Sequence, residues 1–384
     1  MRLTSESDAE VEEFRAEFSA FIDANVPGAA EAVPASQSTA DVPPWAADWQ
    51  RKLFDAGWLL PGNPPEFGGR NATLPQQLAH LEELSRRRIN HSFNPQGLGI
   101  IAASILTFGT EEQKHRWAVP ILRAEMTAAL GMSEPEAGSD LASLRTRAVL
   151  DGEHFTVNGQ KVWTSGAHDA DVLLTFVRTD PDAPKHKGIS VLLIPTDTEG
   201  VVRKPFGCLT DPDDLDFNEV FFTDVKVPRE NLVGPLNGGW GVAHGSLGHE
   251  RTLLWLHYAE RLEDLIQDAP CAEEWYATLQ MDFQALKLLG YRQLGEDRNE
   301  AELSVLKLFG SEAVRSAALC ALEARGADGL VHPELTGPLN HMGMPSFTAS
   351  WFERYARSFG GTIAGGTSEI QRNIIAERIL GLPR

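Results

Sequence analysis

The spacing of apolar residues changes period twice along this chain, and no other feature restricts its fold so much. Up to about residue 125 apolar side chains recur at helical spacing. Val11, Phe14, Phe18 and Phe21 mark a first helix over 5–25, and further amphipathic runs cover 45–57, 74–87 and 111–122. Residues 27–44, rich in Pro, Ala and Ser, predict an irregular link. Residues 59–70 predict a rigid loop with three prolines and three glycines. Between Thr127 and Val233 no run of helical length occurs, and short β-branched and aromatic segments replace it. From Gly239 the helical period returns, with candidate helices over 240–265, 272–296, 302–326, 347–359 and 369–380. A chain of 384 residues exceeds one ordinary domain. The expected division is an N-terminal helical domain (1–125), a small antiparallel β domain, barrel or sandwich (126–234), and a C-terminal helical bundle (235–384).

The overall charge narrows the partners. A net charge of -20 argues against nucleic acid and anionic membranes, without excluding a local basic pocket for phosphates. The opening MRLTSESDAEVEEF is acidic and carries no apolar run, so neither a secretory nor a membrane-spanning segment is expected there. Cys208, Cys271 and Cys320 lie far apart with no metal-ligand spacing. They predict reduced, packing cysteines in a cytoplasmic protein.

Within the β region the stretch Leu130–Thr164, LGMSEPEAGSDLASLRTRAVLDGEHFTVNGQKVWT, is richest in chemistry. Met132–Asp140 is a polar, glycine-bearing loop. Strands are predicted over Arg145–Leu150 and His154–Val157, with turns at Asp151-Gly152 and Asn158-Gly159, and Lys161–Trp163 opens a third strand. Strands are also expected over 171–178, 188–195 and 217–227. Small hydroxyls, backbone amides and one indole beside a compact sheet can hold a flat polar ligand. The competing reading is a surface meander with Trp163 buried.

Six stretches, in order and at consistent spacing, resemble the acyl-CoA dehydrogenase family: PEFGGR (65–70), GTEEQK (109–114), MSEPEAGSD (132–140), NGQKVWTSG (158–166), PRENLVG (228–234) and GTSEIQRNIIAERILGLPR (366–384). The resemblance implies an N-terminal all-α domain, a central antiparallel β-barrel and a C-terminal four-helix bundle. It also implies FAD as cofactor, and oxidation of the Cα–Cβ bond of an acyl-CoA thioester to the 2-enoyl-CoA. Electrons would pass to an electron-transferring flavoprotein or a similar acceptor. On the family pattern Met132, Ser133, Trp163, Thr164 and Ser165 fall at the flavin, and Ser139 where the thioester ligand or its CoA portion is met. Gly366, Thr367 and Glu369 fall where the family reaches the ADP part of FAD. Taken on their own, the serines are turn or cap residues.

Such chemistry needs a base for the α-proton and donors that polarise the thioester carbonyl. Many family members place a glutamate directly before the Gly-Thr of the last motif; here that position is Gly365. Another branch carries its base on the first long helix of the C-terminal domain, and the corresponding segment GSLGHERTLL (245–254) offers Glu250. Helical spacing places Glu250 on a partly apolar side with Ser246, Leu247, Leu253 and Leu254, where desolvation would raise its pKa. Composition alone would make it an exposed helix glutamate. Arg251 is then a structural or CoA-facing cation beside the base, and Gly365 leaves room for acyl substrate. Two family elements are missing. Residues 262–280 contain no Arg-x-x-Phe-Gly, whose arginine meets the flavin pyrophosphate of a neighbouring subunit, and the stretch after Gly337 lacks the usual Gln…Gly-Gly. Those losses leave either a homo-oligomer or a heterotetramer with a paralogous chain, while the small residues Ala364, Gly365 and Gly366, standing where other members carry a glutamate, imply a wide acyl tunnel and a long, branched or steroid-side-chain acyl group. The alternative is a non-catalytic or half-site subunit.

Overall fold

The computed structural model describes residues 8–27, 38–87, 89–209, 215–243, 274–293, 302–331 and 350–383, and all of 255–266 except 257, 260 and 264. Helices open the chain: α1 (Asp8–Asn25), α2 (Pro44–Asp55), α3 (Leu74–Arg87), α4 (97–108) and α5 (111–122). Pro44 starts α2 where a missing N–H costs nothing, and Gly57 at φ 73° turns the chain away after its cap. Thr110 and Gln113 form a reciprocal capping box at the start of α5. The Gln113 Nε2 also donates to the carbonyls of Glu230 and Leu232, at 2.7 and 2.9 Å, which ties this helix to the exit of the sheet.

An aromatic stack fills the middle of this unit. Phe18, Trp58 and His80 are all buried, with ring centroids of Phe18 at 4.8 Å from Trp58 and 4.2 Å from His80. The Arg70 guanidinium lies 3.8 Å from the Trp58 ring centroid. Burial pushes the His80 imidazole down to about 3. Beside it, burial opposes ionisation of Glu83, but hydrogen bonds from Arg86 and Arg87 outweigh it and hold the carboxyl at about 2.

Among the described residues seven strands follow: β1 (Ala128–Gly131), β2 (Arg147–Asp151), β3 (His154–Lys161), β4 (Val172–Arg178), β5 (Ile189–Pro195), β6 (Val201–Phe206) and β7 (Phe217–Pro228). They make one curled sheet, ordered β1-β4-β2-β3-β7-β6 with β5 on β4. The expected closed antiparallel barrel is not what forms. β1 runs parallel to β4, and the β2-β3-β7-β6 half joins β4 through the single pair Arg147↔Arg178. The outer edge of β5 is met by the departing chain, with bridges Leu192↔Leu232 and Ile189↔Gly238, so β6 does not close on it. β6 itself carries Arg203, Lys204 and Pro205, residues suited to an open edge.

A second correction concerns Asn158-Gly159. The Asp151-Gly152 turn forms as expected, but β3 runs straight through Asn158-Gly159 to Lys161. The register shift there matches Val157–Gly159 with Val225–Phe222, so the extra residue lies on β7. Asp224, at φ 51°, lies in this bulge, and the Asn158 side chain both accepts from its amide at 2.9 Å and donates to its carboxylate at 3.0 Å.

The C-terminal helices, α6 (Glu274–Gln293), α7 (Leu303–Arg325), α8 (Trp351–Ile363) and α9 (368–379), pack with the helical residues of 255–266 as a bundle. Trp255 and Tyr258 fit notches left by Gly290 and Gly310; a Cβ there would come within 2.2 and 2.5 Å of the rings. Tyr291 of α6 donates to Glu82 of α3 at 2.6 Å, and Arg15 of α1 donates to the other oxygen of Glu82 at 3.0 Å. Cys320 is a free thiol, and Cys271 lies outside the described residues. No described helix is long and apolar enough to cross a membrane.

The buried imidazole sets an acid dependence. Between about pH 6.5 and pH 3 the unfolded chain holds a proton at His80 that the folded chain does not. Stability from this group is therefore whole above pH 6.5 and drains as pH falls, by up to about 1.4 kcal/mol per pH unit. Glu83 adds in the same direction below its ordinary 4.5. Urea unfolding at a series of pH values should show the fall, and His80→Phe, which keeps a ring in the stack, should flatten it between pH 6.5 and 4.5. An unchanged slope would place the titrating group elsewhere.

Candidate functional site

Two backbone segments leave the sheet side by side: 132–134 after β1 and 161–163 at the end of β3. The Val162 amide donates to the Ser133 carbonyl at 3.0 Å. Beneath them Lys161, with no exposed side-chain surface, donates to the Met132 carbonyl at 3.0 Å and to the Glu134 carboxylate at 2.8 Å. Glu134 also accepts the amides of Arg145 and Thr146, at 2.6 and 2.9 Å. Burial pushes the Lys161 ammonium down to about 8, against the pull of Glu134. For Glu134 burial acts upward, but Lys161 and the two amides win and the carboxyl stays below its usual range.

Above this pair the chain turns sharply at Trp163, whose φ of 61° is a conformation an L-residue of this size rarely adopts. The indole is 60% exposed, so the reading of Trp163 as a buried meander residue does not hold. Phe206 and Phe217 brace it edge-on at centroid distances of 5.2 and 5.5 Å. Thr164 is buried; its amide donates to the Asn218 carbonyl and its carbonyl accepts from Asn218 Nδ2 at 3.1 Å. Gly166, at φ 68°, donates to the Asp216 carbonyl, and a Cβ on it would meet Ala40 at 2.8 Å.

The hydroxyls of Ser133 and Ser165 are half-buried on the same loops and make no hydrogen bond among the described residues. Ser139 is exposed beside Asp140, whose carboxylate accepts from Ser143 and, at 3.0 Å, from Lys185, and is held below its usual range by them. Met132, Ser133, Trp163, Thr164 and Ser165 are thus brought together. Their arrangement suits an isoalloxazine. A braced, outward-facing indole offers an apolar flank for a ring, and the serine hydroxyls offer partners for its polar edge.

Gly365, Gly366, Thr367 and Glu369 form a second group between α8 and α9. Thr367 caps α9 by accepting from the Ile370 amide at 3.2 Å. The two glycines have φ of 65° and 95°, and their carbonyls accept from Gln371 Nε2 at 3.2 and 3.3 Å. Ser368 donates to Glu312 of α7 at 2.6 Å, fixing the start of α9 on the bundle. Glu369 is exposed and pairs with Arg372 at 3.3 Å. Glu250 and Arg251 lie outside the described residues.

Several supporting residues escape a sequence reading: Glu134, Lys161, Phe206, Phe217, Asn218 and Gln371. The available signal was Lys161 itself, which keeps the inward parity of Phe155 and Val157 along β3 because the extra residue of the bulge lies on β7.

The chain matches the family descriptions of the acyl-CoA dehydrogenase N-terminal domain over residues 8–125, the middle domain over 129–225 and the C-terminal domain over 237–380. It is 34% identical over 356 residues to the acyl-CoA dehydrogenase IpdE1 of Mycobacterium tuberculosis, covering 88% of each chain. Among solved structures it resembles the Tcur3481-Tcur3483 steroid ACAD, with TM-score 0.79, 29% identity and full coverage of both chains. It also resembles the ChsE4-ChsE5 complex from Mycobacterium tuberculosis, with TM-score 0.77, 28% identity and full coverage of both. Three family segments in sequence order and a relative 34% identical over 88% of each chain lead to one assignment: the chain belongs to the acyl-CoA dehydrogenase family and is an FAD-dependent oxidoreductase acting on CH–CH bonds.

Proposed function

We propose that this chain oxidises the acyl-CoA thioester of a long, branched or steroid-side-chain acyl group to its 2-enoyl-CoA, with Glu250 as the base. The observation that carries the substrate class is the open position at Gly365. The residue is exposed, and a Cβ built on it meets nothing within 4 Å. Where another branch of the family sets a carboxylate, this chain leaves space for acyl bulk. Similarity to a structure described as a steroid ACAD supports the same class.

FAD, when bound, would supply the acceptor for the hydride on the β-carbon. The chain's own residues do the rest. Glu250 takes the α-proton, and the electron pair of that C–H bond becomes the new Cα–Cβ double bond. In this reading Trp163, Ser133 and Ser165 seat the ring, Thr367 and Glu369 serve the ADP part, and Ser139 and Arg251 serve the CoA thioester. Electrons then pass to an electron-transferring flavoprotein or a similar acceptor. The three functional units correspond to residues 1–125, 126–234 and 235–384.

We also infer pairing with a paralogous chain. Residues 262–280 lack the Arg-x-x-Phe-Gly element, and the similarity to a two-component complex supports a division of the flavin site between unlike subunits. In that arrangement a half-site role for this chain is the second reading. A chain that is yellow by itself and bleaches with an acyl-CoA excludes it.

Glu250→Gln keeps size and removes the proton acceptor. Flavin reduction by the native acyl-CoA should fall roughly 10²–10⁴-fold, with FAD content and acyl-CoA binding little changed. Near-normal reduction would move the base to another residue or chain. Sedimentation of the native assembly should give a dimer or larger; a homogeneous monomer that turns over substrate would overturn the shared site. At Gly365 the cost of a side chain is conformational alone. Gly365→Ala should lower stability by about 1 kcal/mol through its φ of 65° while leaving flavin binding intact, as thermal melts and FAD titration would show.

A further inference from the structure

We propose that the buried Glu134–Lys161 pair is a positioning device that holds the apoprotein's flavin seat in its binding geometry. This rests on the reading of Ser133, Trp163 and Ser165 as that seat. The pair is largely withdrawn from water: Lys161 is fully buried and Glu134 is 8% exposed. A buried ion pair contributes little net stability over an apolar replacement of the same shape, so stability alone does not account for it.

Geometry accounts for it better. One direct backbone hydrogen bond, Val162 to Ser133, joins the two segments of the seat. The ammonium adds a second tie, donating to the Met132 carbonyl on one segment while its own backbone belongs to the other. The carboxylate adds a third by gripping the Arg145 and Thr146 amides, which begin the run into β2. Glu134 is itself locked by a reciprocal backbone pair with Ala137, 3.1 Å each way, so the Met132–Asp140 loop cannot slide without breaking its carboxylate contacts. On the far side Asn218 fixes Thr164. Trp163 is thus strung between two anchors, Lys161 below and Thr164 beyond. Its left-handed backbone persists because both neighbours are tied. A seat built this way needs no reorganisation when the ring arrives, which is where its affinity comes from.

The test uses the full chain in its native assembly, freed of flavin and titrated with FAD, with flavin fluorescence and a thermal melt as readouts. Lys161→Met combined with Glu134→Gln removes both charges, so no lone buried ion remains. Expected are a retained cooperative melt, an FAD dissociation constant raised roughly 10-fold or more, and brighter emission from the flavin still bound, because the indole no longer quenches it. Trp163→Leu, at an exposed residue, is the control for the seat. If Trp163→Leu weakens FAD binding and the double variant does not, the pair is structural only and the proposal is overturned while the seat stands. If neither weakens it, the seat reading fails and takes the positioning role with it. Should the double variant not fold, Glu134→Asp keeps the charge on a shorter arm. A folded Glu134→Asp protein with parental FAD affinity and emission also overturns the proposal.

Discussion

Burial of β4 and β5 on both faces is the constraint from which the rest of the architecture follows. Val172, Leu174 and Phe176, with Ile189, Val191 and Leu193, join the core of the N-terminal helices. Leu173 and Val177, with Leu192 and Ile194, face the other way, into the concave side of the curled sheet with Phe155, Val157 and Val225. Two strands therefore serve two cores. This is why GISVLLIP shows no alternation, and why the sheet does not close: the helical layer and the departing chain occupy what barrel strands would otherwise cover.

The loops we propose as the flavin seat grow from the rim of that doubly buried element. β1 pairs in parallel with β4 and delivers Met132 and Ser133; β3 delivers Trp163. The second loop turns at Trp163 and Gly166, with φ of 61° and 68°, and would relax if left to itself. Both loops are held by polar ties that reach across the chain: the Lys161 ammonium to Met132, Asn218 to Thr164, and Asp216 to both Gly166 and the Thr39 hydroxyl at 2.8 Å. The rigid scaffold supplies position, and buried polar contacts convert it into orientation.

How much of this was legible depended on how local each signal is. The helix over 74–87 has the bounds its periodicity suggests, and the last helix, expected over 369–380, starts one residue earlier, behind its cap Thr367. The Asp151-Gly152 turn was equally plain, since the pair alone specifies the geometry. Asn158-Gly159 carries the same local signal and does not turn, because tertiary pairing with β7 and an extra residue at Asp224 decide the outcome. Two short strands also escaped notice: β1 has only four residues without a β-branched one, and β6 carries charges and a proline. In the site, the serines and the indole stood out by motif. Their supports, Glu134, Lys161 and Asn218, lie up to 84 positions apart in sequence and could be joined only by folding.

Glu82 is a single carboxylate with two clients. One oxygen receives the Tyr291 hydroxyl from the C-terminal bundle, and the other the Arg15 guanidinium from the first helix. Burial and the carboxylate together push the Tyr291 phenol upward, so the hydroxyl stays a donor throughout the ordinary pH range. Loosening either client leaves the carboxylate partly desolvated and under-bonded for the other. The beginning and the later part of the chain, 276 residues apart at these two contacts, are therefore thermodynamically linked. Synthesis delivers Arg15 and Glu82 long before Tyr291, so the carboxylate gains its second donor only once the later helix has been made and docked.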